Sequence, residues 1–297
     1  MSKADEEVLS GRGRWVRWMP GIFVLLWATG FIGAKYGLPY AEPATFLVLR
    51  FAFVVVLLLP IAIVAQARWP PTRAQVLHLA VAGILVHGGY LGGVFSAIHA
   101  GMSAGLSALI VGLQPILTAV AAAPLLGERV TARQWLGLAL GFVGVALVVA
   151  DRASLGGLSA YSLAMAVLAL FSITIGTVYQ KRFCGAFDLR TGAIIQFVAA
   201  GLALAPIAIA FEHAPVRWTG EFLFAMAWLV IVLSIGAISL LALLIRRGAA
   251  TKVASLFYLV PPVTAIIAFL LFGETLDPLA LAGFGLAVAG VALVVRA

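Results

Sequence analysis

From residue 19 to residue 295 the chain is a succession of apolar runs, each near the length that crosses a bilayer. A spanning helix uses about 20 apolar residues. Runs of that order fall at approximately 19–38, 44–66, 76–98, 102–126, 133–150, 159–180, 190–210, 221–245, 252–272 and 278–295, separated by charges and by Pro/Gly punctuation. This predicts ten helices. Several connections are shorter than eight residues, which forces consecutive helices to be antiparallel neighbours. With 64% of the 297 residues hydrophobic and 10% charged, against roughly a quarter charged in soluble domains, the fold class is all-α integral membrane. Little chain is left for an attached catalytic domain, so function must sit between the helices.

Orientation follows from the basic residues. If the N-terminus is cytoplasmic, the inner segments hold Lys3, Arg12, Arg14, Arg17, Arg68, Arg73, Arg129, Arg133, Lys181, Arg182, Arg190, Arg246, Arg247, Lys252 and Arg296, whereas the outer side holds only Lys35, Arg152 and Arg217. Cytoplasmic loops are held basic, so both termini are expected inside. The same bias accounts for the net charge of +8 without a nucleic-acid partner. Residues 1–18 read as a polar cytoplasmic tail before an uncleaved first helix. One cysteine, Cys184, allows no intrachain disulfide and no cysteine cluster for a metal. There is no GxxxxGK[ST] loop, which removes direct ATP hydrolysis. No cofactor is expected.

The second half repeats the first at one offset. Pro115 falls on Pro261, 146 residues further on, and the same shift carries Thr118-Ala119 to Thr264-Ala265, Gly127-Glu128 to Gly273-Glu274, and Gly144–Val149 to an identical GVALVV at Gly290–Val295. Lys35 falls on Lys181, Phe51 on Phe197 and Pro60-Ile61 on Pro206-Ile207. Five helices per copy is an odd number, so the second copy enters the membrane from the opposite side, as in alternating-access transporters. The expected organisation is the tail 1–18, a first repeat over 19–150 and an inverted repeat over 151–297.

The segments LLWATGFIGAKYGLPYAEPATFLVLRF (Leu25–Phe51) and GLSALIVGLQPILTAV (Gly105–Val120), with the doubled Gly-Glu followed by a Gly-rich helix, resemble the EamA-type branch of the drug/metabolite transporter superfamily. The resemblance covers nearly the whole chain. It implies ten helices in two inverted repeats, both termini inside, and export of metabolites or amino acids from a bacterial inner membrane; it implies no particular substrate.

Candidate site residues are those that are costly or disruptive in mid-membrane. Pro115 and Pro261-Pro262 remove backbone hydrogen bonds near the middle of helices four and nine, and freed carbonyls are tolerated only against protein or a wet cavity. These breaks either frame a central site, with Gln114, Phe257 and Tyr258 nearby, or are packing kinks. His87, beside GGYLGG (Gly88–Gly93), either binds substrate or carries a proton, or bonds a backbone carbonyl in a glycine-rich contact. Trp27 and Tyr90 are expected cavity walls. Arg50 lies inside a span and needs compensation, for which Glu42, the end of helix one and open carbonyls are candidates. With Lys35 it either lines an outer vestibule that attracts a carboxylate, or snorkels.

All eleven acidic residues lie at helix ends or in loops. Exporters of lipophilic cations usually hold a carboxylate within the membrane, so an anionic or zwitterionic substrate is favoured. Glu128 and Glu274 are expected to be structural, accepting from the first amides of the helices beginning near Arg133 and Pro278. Helices five and ten, with GLALGFVG (Gly137–Gly144) and GFGLAVAG (Gly283–Gly290), read as scaffold, or as the contact of a weak homodimer if the protein is not a monomer. The leading class is a secondary exporter whose partners are a small-molecule substrate and the bilayer. A lipid-modifying membrane enzyme, an exporter of amphipathic cations and a channel are the alternatives.

Overall fold

A computed structural model describes residues 3–118, 131–154, 158–184, 187–237, 256–274 and 278–295, together with residues 240 and 244. Every regular element among them is helical. In chain order they are α1 (Lys3–Gly37), α2 (Pro43–Val64), α3 (Arg73–His99), α4 (Ala104–Thr118), α5 (Ala132–Ser154), α6 (Ala160–Phe183), α7 (Leu189–Phe211), α8 (Gly220–Ala237), α9 (Val260–Phe272) and α10 (Pro278–Val295).

By length and composition, six described helices can cross a membrane: Trp18–Gly37, Pro43–Val64, Arg73–His99, Ala160–Phe183, Leu189–Phe211 and Gly220–Ala237. Shorter apolar helices are Ala104–Thr118, Trp135–Ala150, Val260–Phe272 and Leu281–Gly290. Large side chains such as Val64, Leu202, Ile209 and Leu270 stand outward and exposed, which suits a lipid surround and not water. α4 is described only to Thr118, and Glu128, at the far end of that run, lies outside the described residues. Two boundaries differ from the sequence expectation. α1 begins at Lys3, so the polar segment preceding the first apolar run is helical, and α5 runs past Ala150 to Ser154.

Local chemistry explains the helix ends. Thr72, Ser103, Ser159 and Thr219 each accept a hydrogen bond from a first-turn amide, those of Gln75, Leu106, Ser162 and Phe222, satisfying donors that the helix itself cannot pair. Pro43, whose φ is fixed near the helical value, opens α2. α9 closes on Gly273 at φ 65°, the left-handed stop that only glycine makes without strain.

Three helices are irregular. α3 contains a π segment at Ile84–Gly89 and α8 another at Trp228–Ala237; the first, shifted by 146, falls at 230–235, inside the second. α4 is interrupted by a turn at Gly112-Leu113, just before Pro115, and α9 is preceded by a 3-10 turn at Phe257–Leu259, just before Pro261-Pro262. The prolines thus break helical regularity where expected.

α2 packs against α7, α3 against α6 and α7, α1 against α8 and α9, and α4 against α9. α5 and α10 lie against each other through glycines. A Cβ on Gly144 would sit 2.5 Å from the Gly283 carbonyl oxygen, and one on Gly290 would sit 2.5 Å from that of Gly137. The glycine faces of these two helices are therefore turned on one another within the chain.

Candidate functional site

α2 presents Leu47, Arg50, Phe51, Val54 and Leu58 on one buried stripe. A guanidinium therefore enters the middle of the bundle because its helix has no other way to bury Phe51 and its neighbours. Arg50 is 3% exposed. It opens on a cavity of about 120 Å³ between α1, α2, α3, α6, α7 and α8, whose walls include Trp27, Phe31, Tyr90, Leu91, Phe95, Ile173, Phe197 and Leu233. His87 and Ser234 also line it, and none of the described lining residues is acidic.

Arg50 donates from Nη2 to Ser234 Oγ at 3.1 Å, and Ser234 Oγ donates to the Leu229 carbonyl at 3.0 Å. That second bond reaches back five residues within the π segment of α8, so the irregular helix aims the hydroxyl that holds Arg50. Arg50 Nε is buried with no hydrogen-bond partner among the described residues. An unpaired donor on a buried cation is costly.

His87 stacks on Phe197, ring centroids 4.3 Å apart and planes 24° from parallel. Its Nε2 lies 3.3 Å from Gln196 Oε1, which accepts from it in the Nε2–H form, and Gln196 donates onward to Gln180 at 3.4 Å. The imidazole is thus tied to side chains rather than to a backbone carbonyl. The glycines around it serve close packing. A Cβ at Gly89 would meet Ser172 Oγ at 2.5 Å, one at Gly93 the Met165 carbonyl at 2.5 Å, and one at Gly83 the backbone of Gln196 at 2.4 Å. Trp27 is braced from behind by Phe257 and Phe23, with ring centroids at 5.1 and 5.4 Å.

Of the residues singled out in the sequence, Trp27, Arg50, His87 and Tyr90 share this cavity. Phe257 reaches it only through Trp27. Gln114 does not line it: its amide donates to Thr118 at 3.3 Å and Thr177 at 3.4 Å, which fastens α4 to α6. Pro115 is also absent from the lining. Pro261 packs on Gly112, whose missing side chain leaves it room. The side chain of Tyr258 lies outside the described residues. Ser234, Phe197 and Gln196 were not singled out. Ser234 could have been found as the lone hydroxyl in WLVIVLSIGA, and Gln196 and Phe197 as the 146-residue counterparts of Arg50 and Phe51.

Lys35 is not among the residues that line the Arg50 cavity. The Lys35 ammonium forms an ion pair with Glu274 and lies over the Phe272 ring, 4.9 Å from its centroid. The Oε1 of Glu274 accepts from the Ala104 amide at 3.0 Å, so this carboxylate caps α4. The physical reason is that the left-handed turn at Gly273 brings the carboxylate to where α1 ends and α4 begins. Nor does Glu42 neutralise Arg50. It accepts from the Ala214 amide at 2.7 Å, while Glu212 accepts from Ala44 and Thr45 at 2.8 and 2.7 Å, cross-bracing two connectors.

Known proteins share this architecture. The EamA-like transporter family matches residues 19–150 and again residues 160–296. The chain is 28% identical to a probable amino-acid metabolite efflux pump of Salmonella typhimurium over 91% of each chain. It is also 31% identical to a probable terminal-alkyne amino-acid exporter of Streptantibioticus cattleyicolor, over 65% of this chain and 64% of that one. A crystal structure 21% identical in sequence superposes with a TM-score of 0.64, covering 93% of this chain and 94% of the other; it bears on the fold alone. Six apolar helices long enough to cross a bilayer, packed around a buried cavity, describe a multi-pass membrane protein. The chain belongs to the EamA-like transporter family, and the names borne by its relatives are those of transporters rather than enzymes.

Proposed function

We propose that the protein is a secondary exporter of small carboxylate-bearing metabolites, amino acids or other zwitterionic or anionic compounds, in the inner membrane of a bacterium. The observation that carries this reading is the buried Arg50 guanidinium, facing the cavity with Nε unpaired and no acidic side chain beside it among the described residues. Bidentate pairing with a carboxylate is what a guanidinium does best. Relatives named for amino-acid metabolite and amino-acid export support the same substrate class.

Export proceeds by alternating access in two inverted five-helix repeats, ten spans with both termini cytoplasmic. Support comes from the double family match, from the π segments and broken turns that recur at the 146-residue offset, and from the reciprocal glycine contacts of α5 and α10. The Lys35–Glu274 pair ties the outer ends of α1, α4 and α9 together, and so acts as an outer latch. Its counterparts by the repeat are Lys181 and Glu128, which serve as the inner latch when the outer one opens. His87 lines the path, by substrate contact or proton transfer.

The test is counterflow in proteoliposomes of purified protein, with labelled amino acids, organic acids and amines, with and without a pH gradient. Carboxylate-bearing compounds exchange, and Arg50→Gln abolishes that exchange while its melting temperature shows it folded. Export of a quaternary ammonium dye without exchange of any carboxylate overturns the proposal. A cysteine placed at Ser234 and labelled from one side at a time supports alternating access. Labelling from both sides at once indicates a channel.

A further inference from the structure

We infer that the cavity selects monocarboxylates of net charge −1 with an apolar or aromatic body, and discriminates against the zwitterions that share their carbon skeleton. The inference rests on the reading of this cavity as a carboxylate-export site and narrows its substrate.

The polar inventory of the cavity is short. Ser234 is committed twice, to Arg50 and to the Leu229 carbonyl, and His87 Nε2 is committed to Gln196. The other lining residues with polar side-chain atoms are Arg50, whose Nε is unpaired among the described residues, Trp27 and Tyr90. The remaining side chains of the wall are hydrocarbon and aromatic. A carboxylate therefore pairs with Arg50, the one cation among the described lining residues, with Nε as a donor. Everything else the ligand carries must lie against Trp27, Phe31, Phe95 or Phe197.

Charge balance sets the discrimination. The described lining holds a guanidinium and no acidic residue, and a buried cation is strongly disfavoured until it is neutralised. A monoanion neutralises it. A zwitterion brings a second cation with its carboxylate, so the occupied site keeps a net positive charge. Its ammonium must also give up water where no carboxylate receives it. An amine without a carboxylate adds repulsion and no compensation. The favoured ligands are thus acids in which the amino group is absent or acylated: 2-oxo acids, 2-hydroxy acids, aryl-substituted acids and N-acyl amino acids with apolar side chains.

Four compounds on one skeleton test this: 3-phenylpropionate, phenylalanine, 3-phenylpropanamide and 2-phenylethylamine. Each is measured as a competitor of counterflow, and as a ligand by tryptophan fluorescence of the purified full-length protein, at neutral pH. Competition by 3-phenylpropionate at a concentration at least about 10-fold below that of phenylalanine, with little competition by the amide or the amine, is expected. In Arg50→Gln the preference for 3-phenylpropionate over the amide is expected to vanish. If that variant does not fold, Arg50→Lys is used and retains the order of preference with weaker binding. Phenylalanine competing as well as or better than 3-phenylpropionate overturns the inference and leaves the carboxylate-export reading standing. Failure of both acids, with the amine or amide competing, overturns both.

Discussion

Removing the Glu274 carboxylate separates two jobs that one side chain performs. It pairs with Lys35, and it accepts the Ala104 amide that opens α4. The ion pair is partly open to its surroundings, with the lysine side chain 30% exposed and the glutamate 12%. Its contribution is therefore discounted to about 0.5–1 kcal/mol. The amide bond is a helix cap made by a residue distant in sequence, and loss of a cap costs about 1 kcal/mol. Glu274→Gln keeps an oxygen for the Ala104 amide and loses only the charge, so about 0.5–1 kcal/mol is expected. Glu274→Ala loses both and should cost about 2 kcal/mol. Lys35→Gln should match Glu274→Gln. In the double variant Lys35→Gln/Glu274→Gln the two losses should not add, because one interaction has been removed twice. Thermal unfolding of the detergent-solubilised protein, followed by tryptophan fluorescence, ranks the four variants. Equal destabilisation by Gln and Ala at position 274 would show that the Ala104 amide does not depend on this carboxylate. Full additivity of the two Gln variants would show that the pair contributes nothing, and the latch reasoning would fall with it.

Arg50→Lys should retain exchange of carboxylates but with affinity reduced roughly 10-fold or more, since a point charge replaces a fork of donors; the apparent KM in counterflow reports it. Gly144→Val should destabilise strongly, by about 3 kcal/mol or more, because the added Cβ lies 2.5 Å from the Gly283 carbonyl oxygen and 2.9 Å from the Ala287 amide nitrogen, both backbone atoms that cannot swing away; melting temperature and expression level measure it. Asp188 caps α7 and pairs with Arg190 at 2.7 Å, and Arg190 holds its carboxyl down at about 2. A depressed carboxyl stabilises the fold above its ordinary value near 3.8 and loses that contribution as pH falls toward 2. Asp188→Asn should therefore lower the melting temperature at pH 7, and the difference from wild type should shrink as pH falls from about 4 through 2. A Ser234→Cys reporter should show Glu274→Gln and Glu128→Gln shifting side-specific labelling in opposite directions, outward for the first and inward for the second.

Periodicity and charge made the helices and their order legible, because a bilayer permits few other readings of such long apolar runs. Part of the site was legible for the same reason. Trp27, Arg50, His87 and Tyr90 stood out as polar or bulky groups deep in spans, and they meet in one cavity. What remained hidden depends on which helix lies beside which. That Glu274 caps α4 was hidden, since a partner across the bundle leaves no mark in local spacing. Gln114 stood beside a helix-breaking proline and was a reasonable cavity residue, but Thr177 of a neighbouring helix takes its amide. Ser234 belonged to a run that read as uniformly apolar, and only the π geometry of that run turns its hydroxyl toward Arg50.

The π segments of α3 and α8 have a further consequence. A π turn holds one residue more than an α turn of the same height. Each of these helices therefore carries a single residue of slack inside the membrane, set at the cavity wall beside His87 and Ser234. Releasing it on conversion to regular helix advances the rest of the helix by about 1.5 Å and turns it by about 100°. Such a step would turn the cavity-facing side chains out of register with Arg50 while shifting the rest of the helix along its axis by only about 1.5 Å. Ligand release could thus be achieved by rewinding one turn, with far less displacement than rocking whole halves of the bundle.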